Sequence, residues 1–100
     1  MVHEKTFTLE TGRSVKVIAK SEFPAEQAKA VPEIEVLIKE SKEQDFHPPI
    51  GITHPKYWKL KKLDSQQSKR LQIQYSGITE KQLRKTISEF KRLLITAHLN

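Results

Sequence analysis

The sequence predicts an α+β fold: a small, mostly antiparallel sheet of two β-hairpins with two helices on one face, in the order ββαββα. Three observations predict it. Phe7, Leu9, Val15 and Val17 alternate with polar residues on either side of Thr11-Gly12, and Leu71 to Tyr75 alternate strictly. Leu83, Ile87, Phe90, Leu94 and Ala97 recur at helical spacing. A chain of 100 residues supports one hydrophobic core and not two, so residues 1–100 are read as a single domain.

The first element is a hairpin. Phe7 and Leu9 lie between Thr6, Thr8 and Glu10, and after the glycine turn Val15 and Val17 flank Lys16. The polar partners give this sheet one wet face.

Residues 21–44 allow two readings. Pro24 can open a short helix through Ala30, and Pro32 a second through about Glu43. Ile34, Leu37 and Ile38 then form a stripe, with Glu35 and Lys39 paired one turn apart. The competing reading takes Ile34, Val36 and Ile38 as alternating strand residues, which β-branching favours. The helix is preferred. Two prolines and a glycine make Asp45 to Gly51 a loop.

Residues 56–75 are read as a second hairpin, with Trp58 and Leu60 on its inner face and Leu71, Ile73 and Tyr75 on the partner strand. The turn falls in Asp64 to Ser68. Residues 56–62 also suit a short helix opened by Pro55, with Thr53 near its cap. The last element is a helix from about Glu80 to Ala97. Thr79 and Gln82 have capping-box spacing, and Ile78 with Leu83 that of a hydrophobic staple.

Charge is the most informative quantity. Residues 1–50 hold 7 Lys/Arg against 9 Asp/Glu, a net −2. Residues 51–100 hold 11 against 3, a net +8. Such asymmetry points to an anionic partner for the second half, nucleic acid (DNA or RNA) or an acidic protein.

Catalytic chemistry finds little support. There is no cysteine for a disulfide, thiolate metal site or nucleophile. Three widely separated glycines, 12, 51 and 77, cannot build a phosphate loop. His47 and His54, with Asp45 nearby, match no ligand spacing, so neither metal nor cofactor is expected. Glu33, Glu35, Glu40 and Glu43 read as a solvated helix face. No serine or threonine sits in a nucleophile elbow. The expectation is a non-enzymatic binding protein.

The segment Lys56-Tyr57-Trp58-Lys59-Leu60-Lys61-Lys62 interleaves aromatic rings with lysines, the chemistry that stacks on bases while ammonium groups meet phosphates. In the hairpin reading Tyr57, Lys59 and Lys61 share the open face with Arg70, Gln72 and Gln74, and these six form the candidate nucleic-acid site. Trp58 is assigned to the core. A secondary basic patch, Lys81, Arg84, Lys85, Lys91 and Arg92, lies on the outer face of the last helix. A helix packed on the inner face would then point its patch away from the sheet's open face. The rival reading is an adaptor or inhibitor whose basic surface meets an acidic protein. No helix-turn-helix, zinc-finger or RNP signature is present.

The basic segment is too short for a membrane-surface helix, and no run reaches the roughly 18 apolar residues that cross a bilayer. The N-terminus lacks a signal-peptide pattern, so the expected location is cytoplasmic. The C-terminal stripe spans only about two heptads, so a homo-oligomer is not indicated.

Overall fold

The computed structural model describes residues 2–21 and 32–99, with side chains through Leu94. Three strands are followed by three helices: β1 (Val2–Thr8), β2 (Ser14–Lys20), β3 (Glu33–Lys39), α1 (Tyr57–Lys61), α2 (Ser65–Ser76) and α3 (Glu80–Leu99). The class is α+β as expected. The sheet has three strands, all antiparallel in the order β1-β2-β3. The expected ββαββα order is not formed.

The β1–β2 hairpin follows the sequence closely. Gly12 takes φ +91° and donates to the Leu9 carbonyl at 3.0 Å, closing the turn. Phe7 faces Val15 and Lys5 faces Val17 across the pair. Val15, Val17 and Ala19 are fully buried, so the inner face is set by period-2 alternation.

Residues 32–43 are not the expected helix. The competing strand reading holds, and the register shows why. Ile34, Val36 and Ile38 pair with Ala19, Val17 and Val15, which puts three β-branched side chains on the inner face together. A helix would turn Val36 away from the Ile34/Ile38 side and leave β2 without its second partner. Glu35 pairs with Lys20 across the strands at 3.3 Å instead of with Lys39. Glu33 and Glu35 are therefore on a strand, with Glu40 and Glu43 beyond its end. The expected helix over 24–30 lies outside the described residues.

The loop after β3 folds back on its edge. Ile38 and His47 exchange two backbone hydrogen bonds, of 2.8 and 2.9 Å. Beyond them Pro49 and Ile50 are buried.

The second hairpin is absent; residues 57–76 form α1 and α2. Asp64, expected in a turn, is the N-cap of α2. Its carboxylate accepts from Gln67 N–H at 2.8 Å, while Gln67 Oε1 accepts from Asp64 N–H at 3.3 Å. Gly77 ends the helix with φ +83°. Between these caps the residues are mostly good helix formers with a single β-branched side chain, Ile73. Ser76 is buried, and Ser68, Leu71, Gln72, Ile73 and Tyr75 are half-buried, so polar and apolar side chains share the inward face and no clean apolar stripe marks the helix. Ser76 is fully buried and donates to Ile73 O at 2.6 Å.

α3 begins as the sequence indicates. Thr79 and Gln82 close a reciprocal capping box at 3.0 and 3.1 Å. Ile78 and Leu83 pack on the cluster of Val15, Val17, Val36 and Ile38. Phe90 and Leu94 pack with Ala19. Thus α3 covers β1 and β2, α2 covers β3, and both lie on one face of the sheet. α1 packs on α2 through buried Leu60, whose carbonyl accepts from Ser68 Oγ at 3.2 Å. Trp58 is not in the core: it is 73% exposed.

Candidate nucleic-acid interface

The fold turns an asymmetry along the chain into an asymmetry between layers. Every described strand lies in the first half, with net charge −2, and every described helix in the second, with +8. The three acids of the helical layer do little to dilute it. Asp64 is held by its capping box, and Glu80 pairs with Arg84 at 2.6 Å. Glu89 turns inward to β1, 2.6 Å from Lys5 Nζ and 3.3 Å from His3 Nε2. Its carboxyl is held below the ordinary range, first by the Lys5 hydrogen bond and then by that from His3.

The six residues expected on one open sheet face are divided by the helices. Tyr57, Lys59 and Lys61 are on α1. Gln72 points inward, its amide bonded to both backbone groups of Ile50. Arg70 and Gln74, one turn apart, are exposed on the outer face of α2, beside a notch completed by Ile78, Thr79 and Glu80. The second basic patch starts there: Lys81, Arg84 and Lys85 are exposed on the first turns of α3. Lys91 is half-buried and Arg92 exposed further along the helix. Patches expected to face opposite ways therefore occur in one layer, with Gln72 withdrawn from it.

Cations differ between the layers in what holds them. On the outer face of the sheet Lys16 and Lys39 lie over the Phe46 ring, at 4.3 and 5.6 Å, and Lys20 pairs with Glu35. In the helical layer Lys59, Lys62, Arg70, Lys81 and Lys85 make no ion pair and no ring contact among the described residues. Their ammonium and guanidinium groups are available to phosphate.

α1 carries the aromatic part. Tyr57 stands edge-on to Trp58, with centroids 5.3 Å apart and planes at 74°. Lys61 Nζ lies 5.5 Å from the centre of the Tyr57 ring, and Lys56 Nζ 5.1 Å from that of Tyr75. The His54 ring meets Tyr75 edge-on at 5.6 Å. Beside α1 is an open hollow bounded by Ile50, Ile52, Tyr57, Leu60, Lys61 and Leu63. Ile52 is 76% exposed. Trp58, Ile52 and Lys62 were not among the expected site residues. The helical alternative for residues 56–62 contained the signal for Trp58, since two residues from buried Leu60 is about 200° around a helix.

His47 and His54 engage separate partners. His47 Nε2 is 2.8 Å from Glu43 Oε1 and its Nδ1 is 2.9 Å from the Pro48 carbonyl, whereas His54 Nδ1 accepts from Lys56 N–H at 3.0 Å. Among the described residues no three His, Asp or Glu side chains converge as metal ligands, and no helix is long and apolar enough to cross a membrane.

Searches of protein-family models, curated proteins and solved structures find nothing that matches this chain.

Proposed function

We propose that this protein is a non-catalytic nucleic-acid-binding module whose helical layer is the binding surface. One observation carries the reading: the +8 half of the chain is the helical layer, and among the described residues five of its exposed cations are held by no acid or ring. Phosphate contacts of this kind supply most non-specific affinity. Lys59 and Lys62 near α1, Arg70 on α2 and Lys81 and Lys85 on α3 supply them, while Gln74 offers an amide to a base edge. The non-catalytic part rests on the titratable groups. Glu43, His47 and Glu89, whose pKa values are displaced, are each held in an ion pair. Among the described residues none of the three is hydrogen-bonded to a hydroxyl that it would activate.

The second reading, an acidic protein partner, is favoured by exposed Trp58 and Ile52, because tryptophan is a frequent anchor of protein interfaces. Equilibrium binding of labelled oligonucleotides across a salt series separates the two. The nucleic-acid reading expects the logarithm of the binding constant to fall linearly with that of salt, with several counterions released. Absence of binding to either strand form at about 50 mM salt overturns it.

A further inference from the structure

We propose that the nucleic acid taken by this layer is single-stranded, and that Trp58 is the ring on which one of its bases stacks. This rests on the nucleic-acid reading above and sharpens it. A large aromatic side chain left 73% exposed on a five-residue helix does nothing for the core. Its surroundings suit a base. Tyr57 braces the indole edge-on, so the ring is held partly in place while its outer surface stays open. Exposed Lys59, Lys61 and Lys62 follow it directly in the chain, within reach of the phosphates that would flank a stacked base.

The strand form follows from the stack. A base paired within a duplex already has both faces covered and offers a protruding indole nothing but its edge. An unpaired base offers a whole face, and stacking accepts any base because each has one. The loss of one base-reading amide agrees with this: Gln72, one of two amides expected on the open face of the second hairpin, is spent on Ile50. Charge complementarity and an exposed ring thus converge on one occupant, a polyanion with free aromatic faces. Single-stranded DNA and RNA share that chemistry.

Trp58 is the only tryptophan, which makes its fluorescence a direct reporter of the stack. The intact protein is titrated with a labelled oligothymidylate, an oligouridylate and a mixed-sequence duplex, each of about 15 nucleotides or base pairs, at about 50 mM salt. Anisotropy of the label and emission of Trp58 are read together. The expected result is tighter binding of the single strands than of the duplex, with quenching of Trp58 in step with anisotropy. Trp58→Ala should weaken single-strand binding about tenfold or more, Trp58→Phe should retain most of the affinity, and duplex binding should change little. Single-strand binding without quenching, or a Trp58→Ala variant with full affinity, overturns the stacking inference and leaves the nucleic-acid reading in place. No binding of any of the three overturns both. Equal quenching by polyglutamate, with no preference for the oligonucleotides, assigns the ring to an acidic protein and overturns the inference. Because the side chain is exposed, loss of folding does not cloud the variants, and circular dichroism checks this directly.

Discussion

The side-chain amide of Gln72 meets both backbone groups of Ile50: its Oε1 accepts from Ile50 N–H at 2.7 Å and its Nε2 donates to Ile50 C=O at 3.1 Å. Ile50 is 2% exposed, so water cannot readily replace either bond. The pair copies the hydrogen bonds of a strand neighbour and fastens the loop after β3 to the middle of α2. It holds Ile50 at the hollow that Tyr57, Leu60 and Lys61 also line.

Gln72→Ala is therefore expected to act on stability and not on binding. Leaving the Ile50 groups unpaired should cost about 1–3 kcal/mol, read as a lower urea midpoint. Oligonucleotide affinity, measured where the variant is folded, should match the parent. A stable variant with reduced affinity would return Gln72 to the binding surface.

The caps of α2 make a second test. Asp64→Ala removes the carboxylate that accepts from Gln67 N–H and should cost about 0.5–2 kcal/mol. Gly77→Ala forces an L side chain to φ +83° and sets a Cβ 3.1 Å from Leu9 Cδ1. The conformation alone should cost about 1–2 kcal/mol. Thermal melts that left both variants unchanged would mean that residues 64–77 do not form this helix.

The loop after β3 should respond to pH. His47 is raised above its ordinary value of 6.5, chiefly by the hydrogen bond to Glu43 and then by the Pro48 carbonyl. Glu43 is lowered from 4.5, chiefly by the Glu40 N–H and then by His47. A raised histidine gives its full stabilisation below 6.5 and loses it as pH rises through its folded value. A lowered carboxylate gives its own above 4.5 and loses it as pH falls through its folded value. The pair is thus strongest between those limits. Glu43→Gln should lower the urea midpoint more at about pH 5.5 than at about pH 8.5. An equal gap at the two pH values would exclude the ion pair as its source.

Phe90 joins α3 to the sheet. It is fully buried with Ala19 and Leu94, and Phe90→Ala should cost about 3–5 kcal/mol. Denaturant unfolding reads the loss, and a cost below about 1 kcal/mol would contradict the docking of α3 on β2.

Where buried positions are apolar, the sequence was easy to read. The β1–β2 hairpin and α3 show their period and their turn or cap residues openly. β3 was ambiguous because Ile34 and Ile38 fit either period. Val36 decides between them, but only once Val17 is known to face it. α2 is hard to read because Ser68, Gln72 and Ser76 share its inward side with Leu71, Ile73 and Tyr75, whose alternation imitates a strand over five residues. The frame was nevertheless present: Asp64 with Gln67 is a capping box, and Gly77 stands at the stop. Of the candidate site, the cations were legible from charge alone. Their grouping was not, because it depends on α1 and α2 being helices. On a hairpin strand Trp58 shares the inner face with Leu60, whereas on a helix its place relative to Leu60 puts it outside.

The most direct test of the helical layer as the binding surface is the salt dependence of a triple variant. Lys59→Ala, Arg70→Ala and Lys85→Ala remove one exposed cation from each helix and no ion pair among the described residues. If each meets a phosphate, the slope of log binding constant against log salt should become shallower by about 2–3, with affinity down across all sequences. Parental slope and affinity in the folded variant would contradict the assignment.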